Sequence, residues 1–438
     1  MVGTVWGMTE RAGDSGAKAA FRRRVFYIPG YDPIHPRRYR ELYRKEGADQ
    51  ARISGYALDL KPKTTKGPYG WHVTATMDGR AAEADVEVLV WSDIVRDTMS
   101  QSIPGTYLQL VRTAWAYIGS GALFRLMRLR KGPIIAALYP IFALLAQLGL
   151  AVVAGHLAGL ALAALAGLIP VGGDGSSRIG ARMMLRDGAY LLALFAVAAL
   201  VLRWFRAKDG RFFAYYLMHD YAYSAQFGGA NPPELEARMA EFGAAVRAAL
   251  DGDWDEVLVI GHSSGAHLGV SILADLIRAG LPAAPAGGRR PALAFLSLGQ
   301  VVPMVSFLPR ADRLRADLHF LAARDELTWV DVTAPGDGCA FALCDPVAVS
   351  GVAPAGQKWP LVISAAFTQT LSPERWAELR WRFFRLHFQY LCAFDRVRDY
   401  DYFQITAGPV SLAERFRGRP PSKSRIDRAV NLHVGMAA

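Results

Sequence analysis

Two uncharged apolar stretches dominate the middle of the chain. From Gly132 to Gly173, 42 consecutive residues contain no Asp, Glu, Lys or Arg, and Gly188 to Leu202 is uncharged for another 15. A bilayer span needs about 20 apolar residues, and helices in the core of a soluble domain rarely stay uncharged as long as the first stretch. The pattern therefore predicts a membrane segment over residues 125–211, with two transmembrane helices at about 133–170 and 184–205.

An alternative arrangement uses the first stretch alone. It would form a hairpin within 132–173 that turns near Gly155-His156, and 188–205 would then lie on the surface. Two separate crossings are favoured because the spans of such a hairpin are short for a hydrocarbon core of about 30 Å.

Outside this segment, short apolar runs alternate with helical patterns. Strands are predicted at 25–28, 84–91, 257–260, 291–302, 327–335 and 360–367. Helices are predicted after His35, from Asn231-Pro232 to Leu250, up to Gly280, and from Ser372-Pro373 to about Leu391. Strands that alternate with helices indicate an α/β fold with a doubly wound, mostly parallel sheet.

The predicted sheet is interrupted by the membrane segment. The chain divides into a disordered tail (1–20), a first sheet part (21–124), the inserted membrane segment (125–211), a second sheet part (212–415) and a basic tail (416–438), of which 417–425 is expected to be solvated. If strands 25–28 and 257–260 share one sheet, both ends of the insertion lie on one side of the bilayer, and the number of crossings is even.

Charge and cysteine content refine this interpretation. The formal net charge is +11, but the basic residues cluster beside the membrane segment and near the N-terminus, where anionic lipid headgroups account for them. No nucleic-acid-binding motif accompanies them, so a nucleic-acid partner is not expected. Eight Lys and Arg residues flank the two spans and three lie between them, which places the sheet domain in the cytoplasm, at a membrane we expect to be a bacterial inner membrane.

The three cysteines, Cys339, Cys344 and Cys392, are too few for a disulfide framework and favour a reducing compartment. Cys339 and Cys344 lack a second pair of Cys or His ligands at a suitable spacing, so no zinc site is expected. With 52% hydrophobic residues, the chain has enough apolar surface to fold.

The pentapeptide Gly261-His262-Ser263-Ser264-Gly265 has the form G-x-S-x-G. It lies directly after a predicted buried strand and directly before a predicted helix, where a sharp turn would expose the Ser263 hydroxyl at the carboxyl edge of the sheet. The helix N-terminus favours negative charge developing there. The alternative is a Gly/Ser-rich turn without chemistry.

At these residues the chain resembles the α/β-hydrolase superfamily, particularly serine esterases and lipases, over roughly 21–100 and 212–400. The resemblance implies an oxyanion hole formed by the backbone N–H of Ser264 and that of Tyr31, in the segment FYIPGYDP after the first strand. The family's usual His-Gly pair is replaced by Pro29-Gly30. In any fold, Pro-Gly and Asp also form ordinary turns.

The family's chain order of nucleophile, acid and histidine nominates Asp337 and His387 to complete a triad with Ser263. Asp337 follows a predicted strand in Pro-Gly-Asp-Gly, whereas the other candidates lie within that strand (Asp331) or in a turn (Asp345). His387 lies in an aromatic helical stretch rather than in the loop after the last strand that the family uses. The other histidines considered are His433, His262, His267 and His35.

The resemblance implies a membrane-anchored serine hydrolase that cleaves an ester or related acyl bond through an acyl-enzyme, with lipid-like molecules among the substrates to be expected. No metal or organic cofactor is needed. The partners expected are the lipid bilayer and the acyl substrate. The alternatives are an acyltransferase or thioesterase with the same triad, and an inactive hydrolase fold that serves as a membrane-bound binding module.

Overall fold

A mostly parallel β-sheet organises the chain outside its two longest helices. The computed structural model describes residues 20–32, 35–63, 65–98, 102–284 and 289–437. Within them the sheet has eight strands in the order β2-β3-β4-β1-β5-β6-β7-β8, parallel except at the β2–β3 and β3–β4 pairs. The strands are β1 Phe21–Ile28, β2 Ala57–Pro62, β3 Gly70–Met77, β4 Arg80–Val88, β5 Glu256–His262, β6 Ala292–Leu298, β7 Leu327–Thr333 and β8 Leu361–Ser364.

Helices connect and cover these strands. They are α1 Arg37–Ser54, α2 Ser92–Thr98, α3 Ile103–Gly119, α4 Ala122–Leu126, α5 Lys131–Ala166, α6 Gly175–Ala207, α7 Asp209–Phe212, α8 Ala214–Ala225, α9 Pro233–Leu250, α10 Gly265–Arg278, α11 Val302–Ser306, α12 Asp312–Ala322, α13 Pro346–Val349, α14 Phe367–Thr370, α15 Pro373–Leu379, α16 Phe383–His387, α17 Tyr402–Ala407 and α18 Leu412–Arg415, with a 3₁₀ helix at Phe388–Leu391.

Strands from both sides of the long-helix segment lie next to each other at the centre of the sheet. β1 pairs with β5 in register from Arg23↔Glu256 to Ile28↔Gly261. Every residue of β5 is buried, and apolar clusters pack on both faces of the sheet. The predicted mixed α/β class, the mostly parallel sheet and the shared sheet are therefore confirmed.

Two helices are long and apolar enough to cross a membrane. α5 and α6 have 36 and 33 residues and mean hydropathies of 2.1 and 1.9 over their most apolar windows, of which only 22% and 6% is buried. They pack along each other where Gly155 and Gly159 of α5 approach Leu194 and Tyr190 of α6. The alternative hairpin near Gly155-His156 is wrong, because α5 continues unbroken through that point.

The bounds of these helices differ from the predicted ones. α5 spans 131–166 rather than 133–170, and α6 begins at Gly175, nine residues before the predicted 184. The early turns of α6 carry Arg178, Arg182 and Arg186, so this part of the helix does not stand out in the sequence as an uncharged stretch.

Three further differences from the sequence predictions appear. β2, at the edge of the sheet, and its neighbour β3 were not predicted. The single helix expected from Ser372-Pro373 to Leu391 is broken at residues 380–382, where Arg382 is non-helical. The basic tail is mostly exposed over 417–425 but remains attached, because Ser422 N donates to Val362 O and Ile426 pairs with Cys344. The predicted N-terminal tail lies outside the described residues, except for Ala20.

Candidate active site

A strained turn holds Ser263 between β5 and α10. Ser263 has a φ of 56°, a left-handed conformation that non-glycine residues seldom adopt. Its backbone N–H donates to Leu298 O at the end of β6 (2.9 Å), and its carbonyl accepts from Ala266 N (3.2 Å). Strain of this kind persists only where the surrounding structure holds it, and such positions concentrate at functional sites.

The glycines of the motif are required by close backbone approach. A Cβ on Gly265 would overlap the carbonyl oxygen of Ile28 and lie 2.6 Å from Pro29 O, and one on Gly261 would lie 2.6 Å from Ala266 Cα. The turn therefore packs directly against the end of β1.

Gly265→Ala should destabilise the protein by about 2–3 kcal/mol, because a rigid backbone must move to admit one methyl group. Gly210→Ala is the matched control, since nothing lies within 4 Å of the Cβ it would add. Thermal unfolding midpoints in detergent measure both variants. Equal midpoints would contradict the packing described for the turn.

Asp337 and His387 form a buried hydrogen-bonded pair. His387 Nδ1 lies 2.7 Å from Asp337 Oδ2, although the residues are 50 apart in sequence. Asp337 is 2% exposed and His387 6%. Because Nδ1 is bonded to the carboxylate, Nε2 is the ring nitrogen left to exchange a proton with a substrate or nucleophile.

Further donors hold the Asp337 carboxylate in place. Tyr390 Oη donates to Oδ2 (3.0 Å) and Cys339 N donates to Oδ1 (2.9 Å). Burial alone would raise the pKa of Asp337, but the neighbouring His387 and these hydrogen bonds lower it below its usual value. The carboxylate thus stays ionised and orients the imidazole.

His387 lies beside the Ser263 turn. Its ring centroid is 4.9 Å from that of His262, the residue before Ser263. Gly299 directly follows Leu298, whose carbonyl oxygen accepts from Ser263 N. It lies so close to the His387 ring that an added Cβ would be 3.0 Å from His387 Cε1. Burial, and then the positive charge that His387 can carry, lower the pKa of His262 to about 3, so the His262 imidazole is too weakly basic to compete as the base near pH 7.

The predicted oxyanion donors lie against each other. Tyr31 N donates to Ser264 Oγ (2.8 Å), and Gly30 lies so close to the turn that an added Cβ would be 3.0 Å from Ser263 Cβ. The end of β1 thus lies beside the Ser263 turn. In this conformation, however, Tyr31 N–H already donates to the Ser264 side chain. It would donate to a substrate oxygen only after that hydrogen bond is broken.

The other candidates lie elsewhere. Asp345 caps α13 through Val347 N and Ala348 N. His433 contacts Ser120 O (3.2 Å), and the His35 ring is exposed and accepts from Arg37 N. His267 is buried within α10, where burial lowers its pKa to about 4.

Asp331 is fully buried within β7, where it accepts from Ser297 Oγ (2.5 Å). Burial raises its pKa to about 8. An unfolded Asp titrates near 3.9, so between these values the unfolded state releases a proton that the folded state keeps, and stability falls as pH rises, by up to about 1.4 kcal/mol per pH unit.

Asp331→Asn should remove this pH dependence. The midpoint of thermal unfolding of the variant should rise relative to wild type between pH 5 and pH 7.5. Asp253→Asn is the control, because the Asp253 side chain is 99% exposed. An Asp331→Asn offset that is equal at the two pH values would contradict a buried neutral acid.

Sequence reasoning missed Asp220 on α8. Burial raises the pKa of Asp220 to about 7, although nearby His387 opposes the shift. One turn earlier on α8, Tyr216 Oη donates to Tyr31 O. The helix after the long-helix segment therefore lines the site, and the aspartate is inconspicuous in the sequence because it belongs to no motif.

Cys339 was also not expected at the site. Ligand atoms of Asp337, Cys339 and His387 lie within 4.8 Å of one another, so this group could hold a metal ion. However, neighbouring ligands on a tetrahedral zinc ion are roughly 3.3 Å apart, and the 2.7 Å Asp337–His387 separation is that of a hydrogen bond. The observed arrangement fits a proton-sharing pair better than a metal centre.

Comparisons of the chain with protein-family models, with curated proteins and with solved structures found no match.

Proposed function

We propose that the protein is a serine hydrolase of the α/β-hydrolase superfamily that cleaves an ester or related acyl bond. The observation that carries the proposal is the buried Asp337–His387 hydrogen bond beside a strained G-x-S-x-G turn. In this mechanism His387 Nε2 takes the Ser263 hydroxyl proton as Oγ attacks the acyl carbon. Asp337 stabilises the imidazolium, which then protonates the leaving alcohol.

The second half of the reaction reverses these roles. Water loses a proton to His387 and attacks the acyl-enzyme, and the Ser263 oxygen leaves with that proton as the free acid forms. The negative charge on the tetrahedral intermediate would be stabilised by the N-terminus of α10, by Ser264 N–H and, once released from Ser264 Oγ, by Tyr31 N–H.

A fluorophosphonate probe tests the proposal. Solubilised wild-type protein should gain one phosphonyl adduct per chain and lose hydrolysis of p-nitrophenyl butyrate in parallel. Treatment with 1,10-phenanthroline should leave the hydrolysis unchanged. Folded protein that neither reacts with the probe nor hydrolyses the ester would contradict the proposal, and activity lost to the chelator would favour a metal at Asp337, Cys339 and His387.

The same proposal places the site at a membrane. α5 and α6 would cross the bilayer as a pair, with the sheet domain on the cytoplasmic side because basic residues are denser at the outer ends of the pair than in the connection.

Thiol labelling checks this orientation. In intact cells, a membrane-impermeant maleimide should modify Ser176→Cys, beside the connection between the helices, and should not modify Ser424→Cys on the sheet domain. Both positions are exposed. The reverse pattern would contradict the orientation.

A further inference from the structure

An apolar groove runs between α3, α5 and α8. Its walls include Ile118 from α3, Ala137 and Ile141 from α5, Met218 and Tyr221 from α8, and Met304 from α11. The accessible lining of the groove is apolar. A groove with this lining suits a hydrocarbon chain better than a polar ligand.

The inner end of the groove adjoins the candidate active site. α5 begins against the Asp337 loop, where a Cβ on Gly132 would lie 3.4 Å from Gly338 Cα. Tyr221 lies within electrostatic range of Cys339, and Tyr117 at the groove donates to Met304 O (2.9 Å). The groove therefore lies beside the loop that carries Asp337 and beside α8, whose Asp220 interacts electrostatically with His387.

The outer end opens on an exposed apolar surface. On α3, Leu108, Val111, Trp115 and Ile118 are 50%, 62%, 78% and 50% exposed at helical spacing. The opposite face of α3 packs inward, and its Tyr107 hydroxyl donates to Leu144 O of α5 (2.9 Å). An exposed apolar helix face beside a candidate membrane span is typical of a helix that lies in the bilayer interface.

Basic side chains border this surface. Arg112 on α3 and Arg128 after α4 are exposed, and neither makes an ion pair with a described residue. Guanidinium groups at this position complement lipid phosphates. The charge pattern thus favours a phospholipid over an apolar protein partner at the mouth of the groove.

We infer that the groove takes an acyl chain of a membrane phospholipid, which enters from the bilayer between α3 and α5 with its ester directed toward Ser263. This inference rests on the proposed function for the reaction, but the groove itself can be tested without any activity.

Photo-crosslinking provides that test. In proteoliposomes containing phosphatidylglycerol with a diazirine at the end of one acyl chain, crosslinks should map to Met218, Tyr221 or Met304 inside the groove. Ala137→Trp should lower these crosslinks at least about tenfold by filling the groove. Ala161→Trp, at an exposed position of the same helix, should leave them unchanged. Crosslinks confined to the outer faces of α5 and α6 would overturn the inference.

Probe chain length links the groove to the reaction. Wild type should react faster with a dodecyl than with an ethyl fluorophosphonate, and Ala137→Trp should reduce that ratio at least about tenfold, the effect of roughly two excluded methylene groups. Reaction with the ethyl probe should persist.

An unchanged ratio of the two rates in Ala137→Trp would overturn the groove inference and leave the proposed hydrolase function standing. Groove crosslinks without any reaction with the probes would overturn the hydrolase function alone. If Ala137→Trp does not fold, Ala114→Phe fills the same groove from α3.

Discussion

Ser263→Ala should lower ester hydrolysis by at least about 10⁴-fold, because it removes the atom that forms the acyl-enzyme while leaving only binding and charge stabilisation. The substitution keeps the size of the turn nearly unchanged, so the variant should fold. Within the described part of the chain the Ser263 hydroxyl makes no hydrogen bond, so the substitution breaks none. Initial rates with p-nitrophenyl butyrate measure the effect.

Two neighbouring serines serve as controls for this variant. Ser264→Ala removes the Oγ that accepts from Tyr31 N, so it should change the rate far less than Ser263→Ala and could free a donor for the oxyanion. Ser424→Ala, at an exposed position of the C-terminal tail, should have no effect. Rates equal to wild type in both Ser263→Ala and Ser424→Ala would show that the hydrolysis comes from another protein.

Asp337→Asn should lower the rate by about 10³–10⁴-fold without unfolding the protein. The amide is nearly isosteric, but it carries no charge to stabilise the imidazolium, and it can present N–H to His387 Nδ1 and so hold the wrong tautomer. The rate of phosphonylation by an ethyl fluorophosphonate measures the effect. A circular dichroism spectrum and unfolding midpoint close to wild type would show that the loss is chemical.

A double variant sharpens this prediction. If Ser263, His387 and Asp337 act as one unit, Ser263→Ala combined with Asp337→Asn should hydrolyse no more slowly than Ser263→Ala alone. Additive losses would indicate that Asp337 acts independently of the nucleophile. Asp345→Asn is a comparison variant, because Asp345 caps a short helix and should affect stability more than rate.

The parts of the site predictable from the sequence are those set by local chemistry. Gly261 and Gly265 mark a turn that needs close backbone approach, and the turn lies where the buried strand β5 meets α10. The Pro-Gly-Asp-Gly loop after β7 follows from turn formers at a strand end. These signals depend on neighbours in sequence, so one chain is enough to find them.

The parts that could not be predicted depend on tertiary contacts. The break in the helix before His387 occurs within RWRFFRL, which contains neither Pro nor Gly, yet it lets His387 reach Asp337 across 50 residues. Asp220 and Tyr216 reach the site only because α8 packs beside it. β2 and β3 lie at one side of the sheet, and β3 buries only alternate residues (Trp71, Val73, Ala75 and Met77), so it forms no continuous apolar run in the sequence.

Mapping the fluorophosphonate adduct by tandem mass spectrometry tests whether Ser263 is the nucleophile. A single phosphonyl group should appear on Ser263 of the wild-type chain, and it should form at least about 10³-fold more slowly in His387→Ala, which removes the base that activates the hydroxyl. An adduct on another residue, or an adduct on Ser263 that forms equally fast without His387, would contradict a Ser263–His387–Asp337 catalytic unit.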